Sequence, residues 1–146
     1  MPDNITVMVG NLTDDPELRY TPNGVAVSNF RLAVTPRIKD PNGSWRNGET
    51  TFMPVNVWRD MAENVADSLR KGVRAVVTGR LRTRSWETDD GQKRSITELD
   101  ADEVAPSLRF HVVKGIEKPD RTRDPVREAP DRQRDTPALD DNDVPF

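Results

Sequence analysis

Apolar and polar residues alternate over Ile5-Thr6-Val7-Met8-Val9, a β-branched run that predicts a first strand. Asn11 to Asn23 is broken by Asp14, Asp15, Pro16 and Pro22-Asn23-Gly24 and reads as turns. Alternation returns over Val25 to Val34, with Phe30, Leu32 and Val34 on one face and Asn29 and Arg31 on the other. Pro36 to Glu49 reads as a loop with Pro41-Asn42-Gly43 at its tip. Thr51 to Trp58 predicts a third strand, in which Pro54 marks an edge or a bulge. From Asp60 to Arg70 the period becomes helical. Met61, Val65 and Leu69 share a face, Asp60 takes the cap, Glu63 stands at the capping-box position and Gly72 follows the end. Val73 to Thr88 predicts a long strand, Asp89-Asp90-Gly91 a hairpin turn, and about Lys93 to Ala101 the return. Leu108 to Val113 reads as a last short strand. Three strands, one helix and further strands give an all-β chain in the order of an OB-fold, a five-stranded Greek-key barrel.

Parity within these strands separates a core from a candidate site. In the third strand Met53, Val55 and Val57 take the core face, which leaves Phe52, Asn56 and Trp58 on the other. In the fourth, Val73, Ala75, Val77 and Leu81 are core, so Arg80, Arg82, Arg84 and Trp86 line the outer ridge. Arg31 joins them from the second strand. Rings beside arginines on an outward face suit a single nucleic-acid strand, because every base has a π-face to stack and cations follow the phosphates. Two plainer readings stand beside this one. Outward aromatics also mark subunit interfaces. A turn at Asp89–Gly91 sets Arg82 opposite about Glu98 and Arg80 opposite about Asp100, as cross-strand ion pairs. In that register Arg84 and Trp86 face no acid and are the stronger binding candidates. In the loop, Arg37, Lys39, Trp45 and Arg46 lie near Gly43 and Gly48; Trp45 either folds over a bound strand or packs back on the barrel. Arg70 and Lys71 close the helix, where cations also suit its dipole.

Charge sharpens the picture by its distribution. The net charge of −3 falls entirely on the C-terminal segment, since 16 Lys/Arg and 16 Asp/Glu cancel over residues 1–115. Strand binding therefore has to come from local clustering of arginines. From about Glu117 prolines alternate with Asp and Arg and little is apolar, so a disordered tail is expected. The division is a barrel over 1–115, a charged Pro-rich linker over 116–137 and an acidic tip over 138–146. That tip ends Asp140-Asp141-Asn142-Asp143-Val144-Pro145-Phe146, a peptide whose terminal ring and carboxylates fit an apolar pocket rimmed by basic groups. No cysteine is present, which excludes disulfides and thiolate metal sites. The first residues lack the basic start and apolar run of a secretory leader, and no stretch is long and apolar enough for a membrane span. An enzyme is not expected. His111 has no second His or Cys, Asp14, Asp15 and Glu17 sit in a turn, and Gly72 and Gly79 lack a phosphate-cradle spacing. No metal or cofactor is expected either.

Val9-Gly10-Asn11-Leu12, Asp15-Pro16-Glu17-Leu18-Arg19-Tyr20, Leu69-Arg70-Lys71-Gly72, the run Gly79 to Trp86 and the ending Asp143-Val144-Pro145-Phe146 resemble bacterial single-stranded DNA-binding proteins. The likeness covers about residues 4–110 and the tip. Thr35-Pro36-Arg37-Ile38 and Pro106-Ser107-Leu108-Arg109-Phe110 resemble the high-GC Gram-positive branch, in which a C-terminal segment clamps neighbouring subunits. The resemblance implies a cytoplasmic, nucleoid-associated homotetramer that coats single-stranded DNA. It also implies a tip, through Asp140, Asp141, Asp143, Val144, Pro145 and Phe146, that docks replication, recombination and repair proteins. The family's stacking positions fall on Phe52, Trp58 and Trp86, while its loop aromatic falls on Ile38, with Trp45 nearby. The alternative is an OB-fold interaction module, akin to a primosome accessory, with weak strand affinity.

Overall fold

The computed structural model describes residues 4–120. The chain separates into two units, Met1–Gly115 and Ile116–Phe146. The first holds all the described secondary structure; of the second, residues 116–120 are described and carry no helix or strand. The first unit contains β1 (Ile5–Leu12), β2 (Glu17–Tyr20), β3 (Ala26–Val34), β4 (Arg37–Lys39), β5 (Trp45–Asn47), β6 (Thr51–Trp58), α1 (Arg59–Ser68), β7 (Arg74–Glu87) and β8 (Lys93–Pro106).

Five strands close on themselves in the order β1-β7-β8-β6-β3, and β3 returns to β1 at Asn11↔Ala33 and Leu12↔Leu32. Among the described residues the one parallel contact is β6 with β8, at Val55↔Leu99 and Asn56↔Asp100. With α1 between the third and fourth barrel strands, this is the expected OB-fold. Closure needs a near-collision of backbones at Gly10, where a Cβ would sit 2.5 Å from the Ala33 carbonyl oxygen. The predicted parity holds. Leu32, Val55, Val57, Ala75, Val77 and Leu99 are fully buried, and α1 closes the interior with Ala62, Val65 and Leu69. Buried Ser28 ties the helix to β3 by donating from Oγ to the Ala62 carbonyl at 2.6 Å.

Several boundaries differ from the sequence expectation. Residues 17–20, read as turn, form β2 against β3. The loop over 36–49 contains the β4–β5 hairpin. Both pieces are exposed along their length, so no buried alternation announces them. Pro54 makes no bulge: β6 pairs continuously with β3 from Thr51 to Trp58, while the β8 side of β6 is paired only at Val55 and Asn56. The helix starts at Arg59, directly after the strand, with Trp58 at the N-cap and no side-chain cap. Asp60 is thus inside the first turn, where its charge suits the dipole but its cap role is lost. Glu63 does not complete a capping box; its Oε2 accepts from the Tyr20 hydroxyl at 2.9 Å. The strand-to-helix change is absorbed by Arg59 at φ 60, in the left-handed region.

β8 runs past Ala101 to Pro106 because a bulge at Thr78/Gly79 admits Asp102 as an extra residue and resets the alternation. Gly79 is needed there, since a Cβ would drive into the Asp100 carbonyl. No strand forms over Leu108–Val113. Ser107 N–H already bonds the carbonyl of Arg74, the first residue of β7, so the ladder has no partner left to offer.

Replacing Leu32 by Ala should lower unfolding stability by ~2–5 kcal/mol, because the side chain is fully buried and the barrel cannot collapse around the void. Urea titration with an unchanged m-value checks this; a midpoint equal to that of the parent chain would contradict the placement.

Candidate nucleic-acid interface

Seen from the exterior, β6 presents Phe52, Asn56 and Trp58, with Phe52 51% and Trp58 40% exposed while Met53, Val55 and Val57 point inward. The Arg31 guanidinium lies over the Phe52 ring, 5.3 Å from its centroid. Trp58 stands opposite Val27 in the β3–β6 register. Asn56 is the centre of a bonded chain across the sheet. Its Oδ1 accepts from Asn29 Nδ2 at 2.6 Å, and Asn29 Oδ1 accepts from Arg19 Nε at 3.1 Å. Its Nδ2 donates to Glu98 Oε1 at 3.1 Å and Asp100 Oδ1 at 3.2 Å. Carboxylates accept only, which fixes the orientation of the Asn56 amide.

The other oxygens of those two carboxylates hold the arginine ridge. Glu98 Oε2 meets Arg84 Nη2 at 3.1 Å, and Asp100 Oδ2 meets Arg82 Nε at 3.0 Å. Asp102 Oδ2 lies 3.8 Å from Arg80 Nε. The expected register is present, with Arg82 opposite Glu98 and Arg80 opposite Asp100. The ion pairs, however, run diagonally, each arginine reaching the acid two residues further along β8. Arg84 therefore has an acidic partner, contrary to the expectation that it faces none. Diagonal neighbours on a twisted pair lie within reach of side chains this long. Glu98 is only 10% exposed on its side chain, and the hydrogen bond from Arg84 holds its carboxyl below the ordinary range. The three guanidinium-bearing side chains stay 56–57% exposed.

Beyond the end of β1 pairing at Arg80, the β7–β8 hairpin continues to its turn, where Thr88 N–H bonds the Gln92 carbonyl. Trp86, 45% exposed, sits on this arm with Arg84 over its ring at 5.3 Å. Arg94 is directly opposite Trp86. Sequence reasoning omitted Arg94, although the predicted turn already implies that pairing. It also omitted Arg19, whose strand had no burial signal.

The remaining candidates lie apart from this bonded face. On the β4–β5 hairpin Lys39 is paired with Trp45 and its Nζ is 5.9 Å from the ring. Trp45 is 56% exposed, so it packs on its own hairpin rather than into the core. Arg46 is paired with Asp40 at 2.9 Å, and Arg37 stands opposite Asn47. Arg70 Nη1 donates to the Ala66 and Leu69 carbonyls, both at 2.8 Å, which closes the end of α1. Lys71 adjoins it, with its backbone N–H on Asp15. Asp140, Asp141, Asp143, Val144, Pro145 and Phe146 lie outside the described residues. An open groove of about 370 Å³ runs beside Asn56, lined also by Arg19, Arg31, Asp15 and Glu98. Among the described residues no cluster of three or more His, Cys, Asp or Glu is arranged to hold a metal ion.

These features can be set beside known proteins. A single-stranded DNA-binding protein of Mycobacterium bovis is 53% identical over 113 residues, covering 77% of this chain and 69% of that protein. One from Corynebacterium glutamicum is 60% identical over 108 residues, covering 73% of this chain and 48% of that protein. Both organisms are high-GC Gram-positive bacteria, as the sequence resemblance implied. The crystal structure of a small single-stranded DNA-binding protein from Streptomyces coelicolor superposes with a TM-score of 0.64 at 36% identity, over 74% of this chain and 97% of that one. Residues 3–107 match the profile of the Single-strand binding protein family, and the chain belongs to that family.

Proposed function

We propose that this protein binds single-stranded DNA without reading its sequence, and acts by binding alone. The observation that carries the reading is the shared outward face of β6, β8 and β7. Phe52 and Trp58 stand on the same strand face as Asn56, and Asn56 is bonded to the carboxylates that hold Arg82 and Arg84. Bases stack on the rings of Phe52, Trp58 and Trp86, and Arg31, Arg80, Arg82 and Arg84 follow the backbone. A cation already rests over two of these rings. A base that takes the ring face releases that cation to the adjoining phosphate. Trp45, with Arg37 and Lys39, extends the path on the β4–β5 hairpin in place of the aromatic that Ile38 lacks. Arg70 and Lys71 add a more distant basic contact.

Four copies assemble in this reading. Ile5 and Val7 are 63% and 61% exposed on β1, and Ile5 to Gly10 are paired only on the β7 side. Such an apolar edge is suited to a second copy. The domain division at 115 and 137 and a cytoplasmic, DNA-associated location belong to the same proposal. No described helix is long and apolar enough to cross a membrane. The tip over 138–146 recruits replication, recombination and repair proteins.

Trp58→Ala and Trp86→Ala should each weaken oligo-dT binding by ~1–3 kcal/mol, and oligo-dT should quench the tryptophan emission of the parent chain. Unchanged emission at saturating strand would favour the interaction-module alternative. Log affinity should fall with log salt at ~0.7 per phosphate neutralised, and a flat dependence would remove the arginines from the contact. Deleting residues 138–146 should abolish capture of repair proteins and raise strand affinity modestly at low salt; capture that survives the deletion would place the docking segment elsewhere.

A further inference from the structure

Every cation of the ridge is answered by an acid, and two of the three acids are also bonded to a neighbouring strand. Glu98 and Asp100 each use one oxygen for an arginine and the other for the single amide of Asn56. That amide is itself hydrogen-bonded to Asn29, which orients it toward the two carboxylates. Their exposure rises from Glu98 at 10% through Asp100 at 28% to Asp102 at 54%, while the arginines stay more than half exposed throughout. The guanidinium groups of Arg84 and Arg82 thus sit outside the carboxylates of Glu98 and Asp100, while Asp102 stands level with Arg80 at the surface. The hydrogen bond from Arg84 lowers the pKa of the Glu98 carboxyl.

From this arrangement we infer that Glu98, Asp100 and Asp102 attenuate strand binding, acting as built-in competitors that phosphates must displace from Arg84, Arg82 and Arg80. The inference rests on the single-strand reading above and adds residues to it that touch no base. When a phosphate engages an arginine, the carboxylate it leaves stays within a few ångströms and repels the same phosphate. It also takes up a cation from solution, which offsets part of the counterion release that drives binding. The ridge consequently holds a strand less tightly, and with less salt sensitivity, than its arginines alone would. A coating protein gains from this, because strands must be given up to the next enzyme.

The test uses the full chain, oligo-dT and an Asp100→Asn/Asp102→Asn double variant, with affinity followed by tryptophan quenching across a salt series. Asn at 100 retains an acceptor for Asn56. The variant should bind roughly three- to tenfold tighter at low salt, with a steeper log–log slope. Oligo-dT with an uncharged methylphosphonate backbone should show no gain. Equal or weaker affinity at an unchanged slope would overturn the inference and leave the acids as structural partners. A gain that persists on the uncharged backbone would overturn it as well. If melting shows that the double variant is unfolded, Asp102→Asn alone carries the same comparison, because Asp102 is the most exposed of the three and its ion pair is the longest. Failure of the parent chain to bind oligo-dT would reject the functional reading and the inference together, an outcome distinct from equal binding by both chains.

Discussion

A strand sealed into a closed barrel has one dry side and one wet side, and the wet side is all it can offer to a partner. β6 lies at the centre of this constraint. Its inward residues are fully or almost fully buried, and the β3 ladder pins its register from Thr51 to Trp58. Slippage by one residue would put Phe52 and Trp58 inside and Val55 and Val57 in water, a change that the cost of exposing the core forbids. The display of the rings is therefore a consequence of core packing, obtained without any interaction devoted to the rings themselves.

The second organising element is polar. Side chains on β2, β3, β6, β8 and β7 are joined by hydrogen bonds and ion pairs through Asn56. Such a chain aligns the outward faces of neighbouring strands, and it keeps long arginine side chains extended above the sheet. Exposed ion pairs of this kind contribute little to stability one by one. Their effect here is to set where charge is presented in a unit whose positive and negative groups cancel overall.

Much of this was legible in the sequence. Met53, Val55 and Val57 against Phe52, Asn56 and Trp58 is a period-two contrast, and Asp89-Asp90-Gly91 is a turn whose position sets Arg82 opposite Glu98 in the backbone register. The helix was visible through Val65 and Leu69, yet its start was not, since a left-handed Arg59 carries none of the glycine or asparagine signal that usually marks such a site. β2, β4 and β5 were missed because strands exposed on all sides leave no alternation to read. The expected strand over Leu108–Val113 failed for the opposite reason: apolar residues were present, but β7 had no residue left to pair with them.

The sequence by itself determined which side of each barrel strand faces inward, because burial of aliphatic residues is a local, periodic contrast that any register must respect. It also determined the hairpin and the kinds of side chain placed outward. Only the tertiary structure decided which acid each arginine meets, that a bulge at Gly79 inserts Asp102, and that Asn56 bridges Glu98 and Asp100 from a strand more than 40 residues away. Those choices depend on sheet twist and on the reach of flexible charged side chains across strands distant in sequence. No local pattern encodes either.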